Sequence, residues 1–293
     1  MRALVENVKD TIVSTIRGTG EIVNAVTETV SGSLTTALKG TGSVGKALTE
    51  AASDVAGGVI QGTSQVGGDL GQATKGAVIG VLKGTKEVGG EAVDAVASTV
   101  QNLVKTTADV GGDIGKAAQQ AMEGTVEGAS SVGVKSVDAI AAAASGAIQG
   151  AGTVGRATTE TASQVARGLI QGAANVGGDL GAAARGSLLG VLRGTRDLTG
   201  QTADTLAATA GSAVKATAEV GGDVAAVAKA AVEGAIQGAK EVGVDASAAA
   251  SLAASGALTA AGDISTAAVE QVQRAATGVI SGVKVVVKAP FTA

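Results

Sequence analysis

The stretch Val66-Gly67-Gly68-Asp69 is four residues long, yet whether a helix runs through it or stops there decides the fold. It recurs as Val88-Gly89-Gly90-Glu91, Val110-Gly111-Gly112-Asp113, Val176-Gly177-Gly178-Asp179 and Val220-Gly221-Gly222-Asp223, always displaced by multiples of 22 residues. Extended along the chain, this register places Ile, Val or Leu at 22, 44, 66 and every further step to 286. Six residues before each lies a second branched column: Ile16, Leu38, Ile60, Leu82, Val104, Val126, Ile148, Ile170, Leu192, Val214, Ile236, Leu258 and Ile280. A longer repeat, five units in length, overlies the first: Thr49 to Gly71 matches Thr159 to Gly181, and GVLKGT from Gly80 matches GVLRGT from Gly190. Repetition of this kind marks a quasi-one-dimensional protein.

Twenty-two is twice eleven, and eleven residues make three helical turns. On such a wheel the apolar columns adjoin over roughly 165°. Their candidate assembly or lipid face comprises Ile16, Leu38, Ile60, Val66, Leu82, Val88, Val110, Ile148, Ile170, Val176, Leu192, Val220 and Ile236. A strand would need alternation, which is missing, so the fold class is all-α. The Gly-Gly pairs leave two alternatives. They stop the helix, giving hairpins of ~18-residue helices with Asp69, Asp113 or Asp179 as N-caps. Or the helix continues through them, to about 440 Å at 1.5 Å per residue. Two features favour the continuous helix. The apolar phase crosses each pair without slipping, and an odd five-unit duplication would reverse helix direction in a hairpin stack.

Such a helix cannot stand alone. The chain has 46 Gly, and at ~1 kcal/mol each relative to Ala the penalty is of order 40 kcal/mol. Burial of the branched columns has to offset it. The glycines keep one register: Gly58 with Gly62, Gly80 with Gly84, Gly124 with Gly128, Gly146 with Gly150, Gly168 with Gly172, Gly190 with Gly194 and Gly234 with Gly238. These GxxxG pairs border the apolar face and predict close backbone approach by another helix. Charges are segregated too: 20 of 22 Lys and Arg occupy one flank and 23 of 26 acids another, displaced by roughly 65°. Parallel neighbours would therefore set a basic flank against an acidic, glycine-lined one. That contact is heterologous and propagates. Within one helix, Lys83 with Glu87, Lys105 with Asp109 and Arg193 with Asp197 have i,i+4 spacing.

Composition removes most chemistry. In 293 residues there is no His, Cys, Tyr or Trp, one Phe, one Pro and two Met. No imidazole base, thiolate or ordinary zinc site is possible, and disulfides are excluded. A net charge of −4 without stacking aromatics disfavours nucleic acid. Carboxylates recurring every unit read as a solvent face, not as a unique active site. With 45% apolar residues the chain is too hydrophobic for disorder. Neither a signal peptide nor a membrane span is seen, so a cytoplasmic location is the default expectation.

Units such as GVLKGTKEVGG, Gly80 to Gly90, resemble the 11-residue (hendecad) helices of synucleins, perilipins, exchangeable apolipoproteins and late-embryogenesis proteins. They are also similar to prokaryotic glycine-rich hendecad coiled coils. The resemblance covers nearly the whole chain as a periodicity. It implies a long structural helix or an amphipathic helix lying on lipid. The chain departs from synucleins in lacking Lys on both edges of the apolar face, and from late-embryogenesis proteins in being less charged.

The sequence thus predicts a self-assembling structural protein, a filament, tube or sheet of laterally packed hendecad helices. It would have no enzymatic activity, cofactor, metal or small-molecule substrate, and its partner would be itself. The alternative is a lipid-surface coat, for which the column Thr19, Thr41, Thr63, Thr85 and Thr107 would mark a headgroup boundary. Residues 1–35 read as an N-terminal cap, 36–270 as the repeat helix, with 49–158 and 159–268 duplicated, and 271–293 as a C-terminal cap or joining unit.

Overall fold

The computed structural model describes residues 2–19, 21–38, 44–89, 92–133, 136–155, 158–196 and 202–287. Gly20, Thr41, Gly90, Glu91, Asp197, Leu198, Pro290 and Phe291 lie outside these, as does the side chain of Thr19.

At Val66-Gly67-Gly68-Asp69 the helix stops. Gly67 takes φ +66°, the left-handed conformation, which costs other residues about 1–2 kcal/mol. Its N–H donates to Ser64 O at 3.1 Å, and Gly68 N–H donates to Thr63 O at 2.9 Å. This crossed pair closes the helix C-terminus as a Schellman motif. Asp69 then opens the next helix, its Oδ1 accepting from Gly71 N at 2.8 Å and Gln72 N at 3.2 Å. The second glycine has a different reason: a Cβ on Gly112 would lie 2.6 Å from Leu70 Cδ1 and 2.7 Å from Thr107 Cγ2. The same turn recurs at 110–113, 176–179 and 220–223, with left-handed Gly111, Gly177 and Gly221.

The expected continuous helix is therefore overturned. Among the described residues the chain forms thirteen helices and one hairpin. They are α1 (Arg2–Thr19), α2 (Ile22–Leu38), α3 (Val44–Gln65), α4 (Leu70–Glu87), α5 (Ala92–Asp109), α6 (Ile114–Val132), α7 (Ser136–Thr153), α8 (Thr158–Asn175), α9 (Leu180–Thr195), α10 (Thr202–Glu219), α11 (Val224–Val242), α12 (Ala246–Ile264) and α13 (Thr266–Ala276). Strands β1 (Gly278–Ile280) and β2 (Val283–Val285) follow, paired antiparallel. Residue 35 falls inside α2 and residue 270 inside α13.

Each helix packs along the helix two places ahead of it. Odd-numbered helices form one layer and even-numbered helices the other, with apolar side chains between. Within a layer the helices run parallel, since Gly76, Gly80 and Gly84 of α4 meet Val23, Thr27 and Ser31 of α2 in ascending order. The result is a two-layered α-solenoid.

Both arguments for continuity fail for one reason. From α4 to the start of α12 each helix with its turn spans 22 residues, one whole unit, so a chain folding back on itself keeps the same phase as one running straight. The odd duplication is permitted because both layers are built from the same contact. Gly58 of α3 packs on α1 in one layer, and its counterpart Gly168 of α8 packs on α6 in the other. A five-unit shift only exchanges the layers.

Candidate functional site

The contact between a helix and its neighbour two places on is the arrangement repeated throughout the described residues. It starts from glycine. A Cβ on Gly58 would lie 2.7 Å from Val5 O, and one on Gly62 2.8 Å from Lys9 O, both on α1. Gly80 and Gly84 face Thr27 O and Leu34 Cβ of α2, while Gly124 and Gly128 face Lys75 O and Leu82 of α4. Gly146 and Gly150 lie on Ala97 O and Gln101 O of α5, Gly168 and Gly172 on Gln119 O and Glu123 Cα of α6. Gly190 and Gly194 meet Ala141 O and Ile148 of α7, and Gly234 and Gly238 meet Arg185 O and Leu192 of α9. All fourteen face a neighbouring helix of the same chain. Any side chain there would hold the two backbones apart.

The branched column fills these slots. Leu82 enters at Gly128, Val104 at Gly150, Val126 at Gly172, Ile148 at Gly194 and Leu192 at Gly238, always at the same offset along the chain. That offset is present in the sequence, but a wheel drawn for one helix shows the two columns as neighbours on that helix and not as partners across two. Ile60, Leu82, Ile148, Ile170, Leu192 and Ile236 are buried, as is Leu38, while Ile16 packs at the edge of the core. Most of the other column does not join them, although Val132 is buried in the core. Val66 and Val88 are partly buried, and Val110, Val176 and Val220 are 36%, 37% and 39% exposed at the turns.

Charge follows the same step. Lys75 pairs with Glu127 at 2.7 Å, Arg167 with Glu219 at 2.8 Å, Arg193 with Glu241 at 2.7 Å and Lys215 with Asp263 at 2.6 Å, always from one helix to the second one on. Glu123, Glu127 and Glu233, the three acids outside the acidic columns, stand beside Gly124, Gly128 and Gly234 and reach Lys75 and Arg185. The i,i+4 expectation is replaced at Glu87, which accepts from Thr35 Oγ1 at 2.9 Å; Arg193 reaches Glu241, and its expected partner Asp197 lies outside the described residues. The more exposed of these pairs, such as Arg167 with Glu219 and Lys215 with Asp263, contribute about 0.2–1 kcal/mol each.

Three of the described carboxyls are shifted. A hydrogen bond from Lys116 holds Asp69 below its ordinary value. Burial raises Glu123, and Lys75 only partly offsets it. Burial also opposes ionisation of Glu241, but hydrogen bonds from Gln237 and Arg193 outweigh it and lower the value.

Thr63, Thr85 and Thr107 are fully buried between helices, their Oγ1 atoms without a hydrogen-bond partner. Among the described residues no group of three carboxylates is gathered to hold a metal, and no helix is long and apolar enough to cross a membrane. The first helix pair keeps an open groove of about 360 Å³ lined by Leu4, Asn7, Val8, Thr11, Gly32 and Thr36. The Gly32 slot, filled by Val26 at the equivalent Gly76, faces open space. No protein-family model matches the chain, and no curated protein is similar enough to count as a relative.

Proposed function

We propose that the chain is a structural protein, with no catalytic role, that associates with further copies of itself as an α-solenoid unit. The observation that carries this is the heterologous helix contact. Helices such as α4 offer a basic, knob-bearing flank to one neighbour (Lys75 and Leu82 to α6) and a glycine-lined, acid-bearing flank to another (Gly80, Gly84 and Glu87 to α2), so the contact contains nothing that closes it. Among the described residues, no helix lies against the glycine-side flank of α1 and α2. That groove is more polar than the inner ones, carrying Asn7, Thr11 and Thr36, so association there is expected to be weaker than the internal stacking and dependent on concentration.

The lipid-coat alternative places different demands on the same residues. Ile60, Leu82 and Ile170 are fully buried in the stack and would have to turn outward, as would Thr63, Thr85 and Thr107. Electron microscopy and light scattering of the pure protein test the proposal. Defined oligomers or filaments that grow with concentration are expected. A monodisperse monomer at every concentration and salt would overturn it.

A further inference from the structure

We infer that the outer edge of β1 is a joining site for a second copy of the chain, the two β1 strands pairing antiparallel about Val279 into a four-stranded sheet. The joining site presupposes the self-association proposed above and adds to the open groove at α1 and α2 a second, two-fold contact at the other end of the chain.

The hairpin turns through Ser281 and Gly282, both at positive φ (+50° and +78°), the geometry of a two-residue turn that matches strand twist. Ile280 then faces Val283 and Gly278 faces Val285 as the hydrogen-bonded pairs of the ladder. Between them, Val279 and Lys284 form the other kind of pair, whose N–H and C=O groups point away from the hairpin. On the β2 side these groups are used: Lys284 O accepts from Ser247 Oγ at 2.8 Å, and Val286 N–H donates to Ser251 Oγ at 3.4 Å. Helix α12 thus covers the β2 edge. Among the described residues the β1 edge carries no such cover.

The hairpin is held firmly enough to present that edge. Ile280 and Val285 are 6% and 3% exposed against the helices, while Val279 is 76% exposed. Natural sheets guard an open edge with Lys, Pro or a bulge. Between Thr277 and Val283 there is no charge and no proline.

The occupant follows from symmetry. Val279 offers one donor and one acceptor on the same edge, so a two-fold axis beside it pairs Val279 N–H with the second copy's Val279 C=O and the reverse. The two valine side chains then lie directly opposite each other, a favourable cross-strand pair. The nearest charge, Lys284, is one strand further out on each side, so no like charges meet at the axis. Three residues per strand make a small contact, so the pair exchanges rapidly with monomer.

Sedimentation velocity over a concentration series tests this on the full chain, with Val279→Pro and Val279→Thr. Proline removes the outward N–H, fixes φ at 279 and restricts Gly278 before it, and is tolerated on an edge strand; threonine keeps the backbone and the β-branch. The wild type and Val279→Thr are expected to shift towards dimer with concentration, and Val279→Pro to lose that shift with its circular dichroism spectrum unchanged. Hydrogen exchange at the wild-type Val279 amide is expected to slow as concentration rises, a readout independent of any variant. Exchange that ignores concentration, or a proline variant that associates like the wild type, overturns the joining site and leaves self-association standing. A wild type that stays monomeric throughout overturns both.

Discussion

Glycine does two separate jobs in this chain, and substitution separates them. Gly67 has no atom within 4 Å of a would-be Cβ, so Gly67→Ala meets only the backbone penalty of a positive φ; about 1 kcal/mol is expected in a denaturant melt. Gly190 is helical, and its Cβ would collide with Ala141 O and Ala144 Cβ. Gly190→Ala has to push α9 off α7, and a loss of about 1–3 kcal/mol is expected. Equal costs for the two would contradict this division. The charged residues divide as well. Asp69 is held low by Lys116, so its contribution is present above the ordinary carboxylate range and is lost as pH falls through its lowered value. Glu123 has the opposite sign: raised by burial, it weakens the fold above its raised value, and the fold gains as pH drops from there towards the ordinary value of 4.5. Glu123→Gln leaves Lys75 with Glu127 and is expected to preserve or increase stability at neutral pH, while flattening the profile just above pH 4.5, measured by thermal melts against pH.

At the scale of the element, the unit is helix plus turn, and length discriminates it from a straight hendecad helix. Removing 156–177 joins Gly155 to Gly178-Asp179 and rebuilds a Val-Gly-Gly-Asp turn. The helices after it change layer but meet the same kind of neighbour. A cooperative melt with modestly lowered midpoint is expected. Removing half a unit, 160–170, preserves helical phase but leaves α8 only Thr158, Thr159 and 171–175, too short to span its neighbours. Its melt is expected to be far weaker. A chain that tolerated the second deletion as well as the first would argue for continuous helices after all. Much of this level is legible in Val66-Gly67-Gly68-Asp69 itself, where the glycine-then-Asp order is a C-cap followed by an N-cap. Periodicity competes with it only because helix plus turn repeats at 22 residues from α4 to the start of α12.

For the whole molecule, inner helices have a neighbour on both sides within their layer, whereas α1 and α2 have one. Native-state hydrogen exchange is expected to be slowest through α6 to α10 and fastest in α1 and α2, as nearest-neighbour coupling requires. Helix content should be the same with and without lipid vesicles, because the apolar face is already covered in the stack. Helix that forms only on vesicles would favour the lipid coat.

By itself the sequence determined an all-α chain, a repeating unit of 22 residues, a glycine border and two charged flanks that fit side by side in parallel. These depend on local propensity and on which residues share a helical face. It did not determine what lies across each flank. Leu82 meets Gly128 and Lys75 meets Glu127 from α4 to α6, and a wheel drawn for one helix carries no information about another. Only the tertiary structure decided that the neighbour expected from another copy is, for nearly every helix, the same chain two helices away. The physical reason is the turn: a short link with a left-handed glycine closes the helix and returns the chain at far lower entropic cost than recruiting a separate molecule.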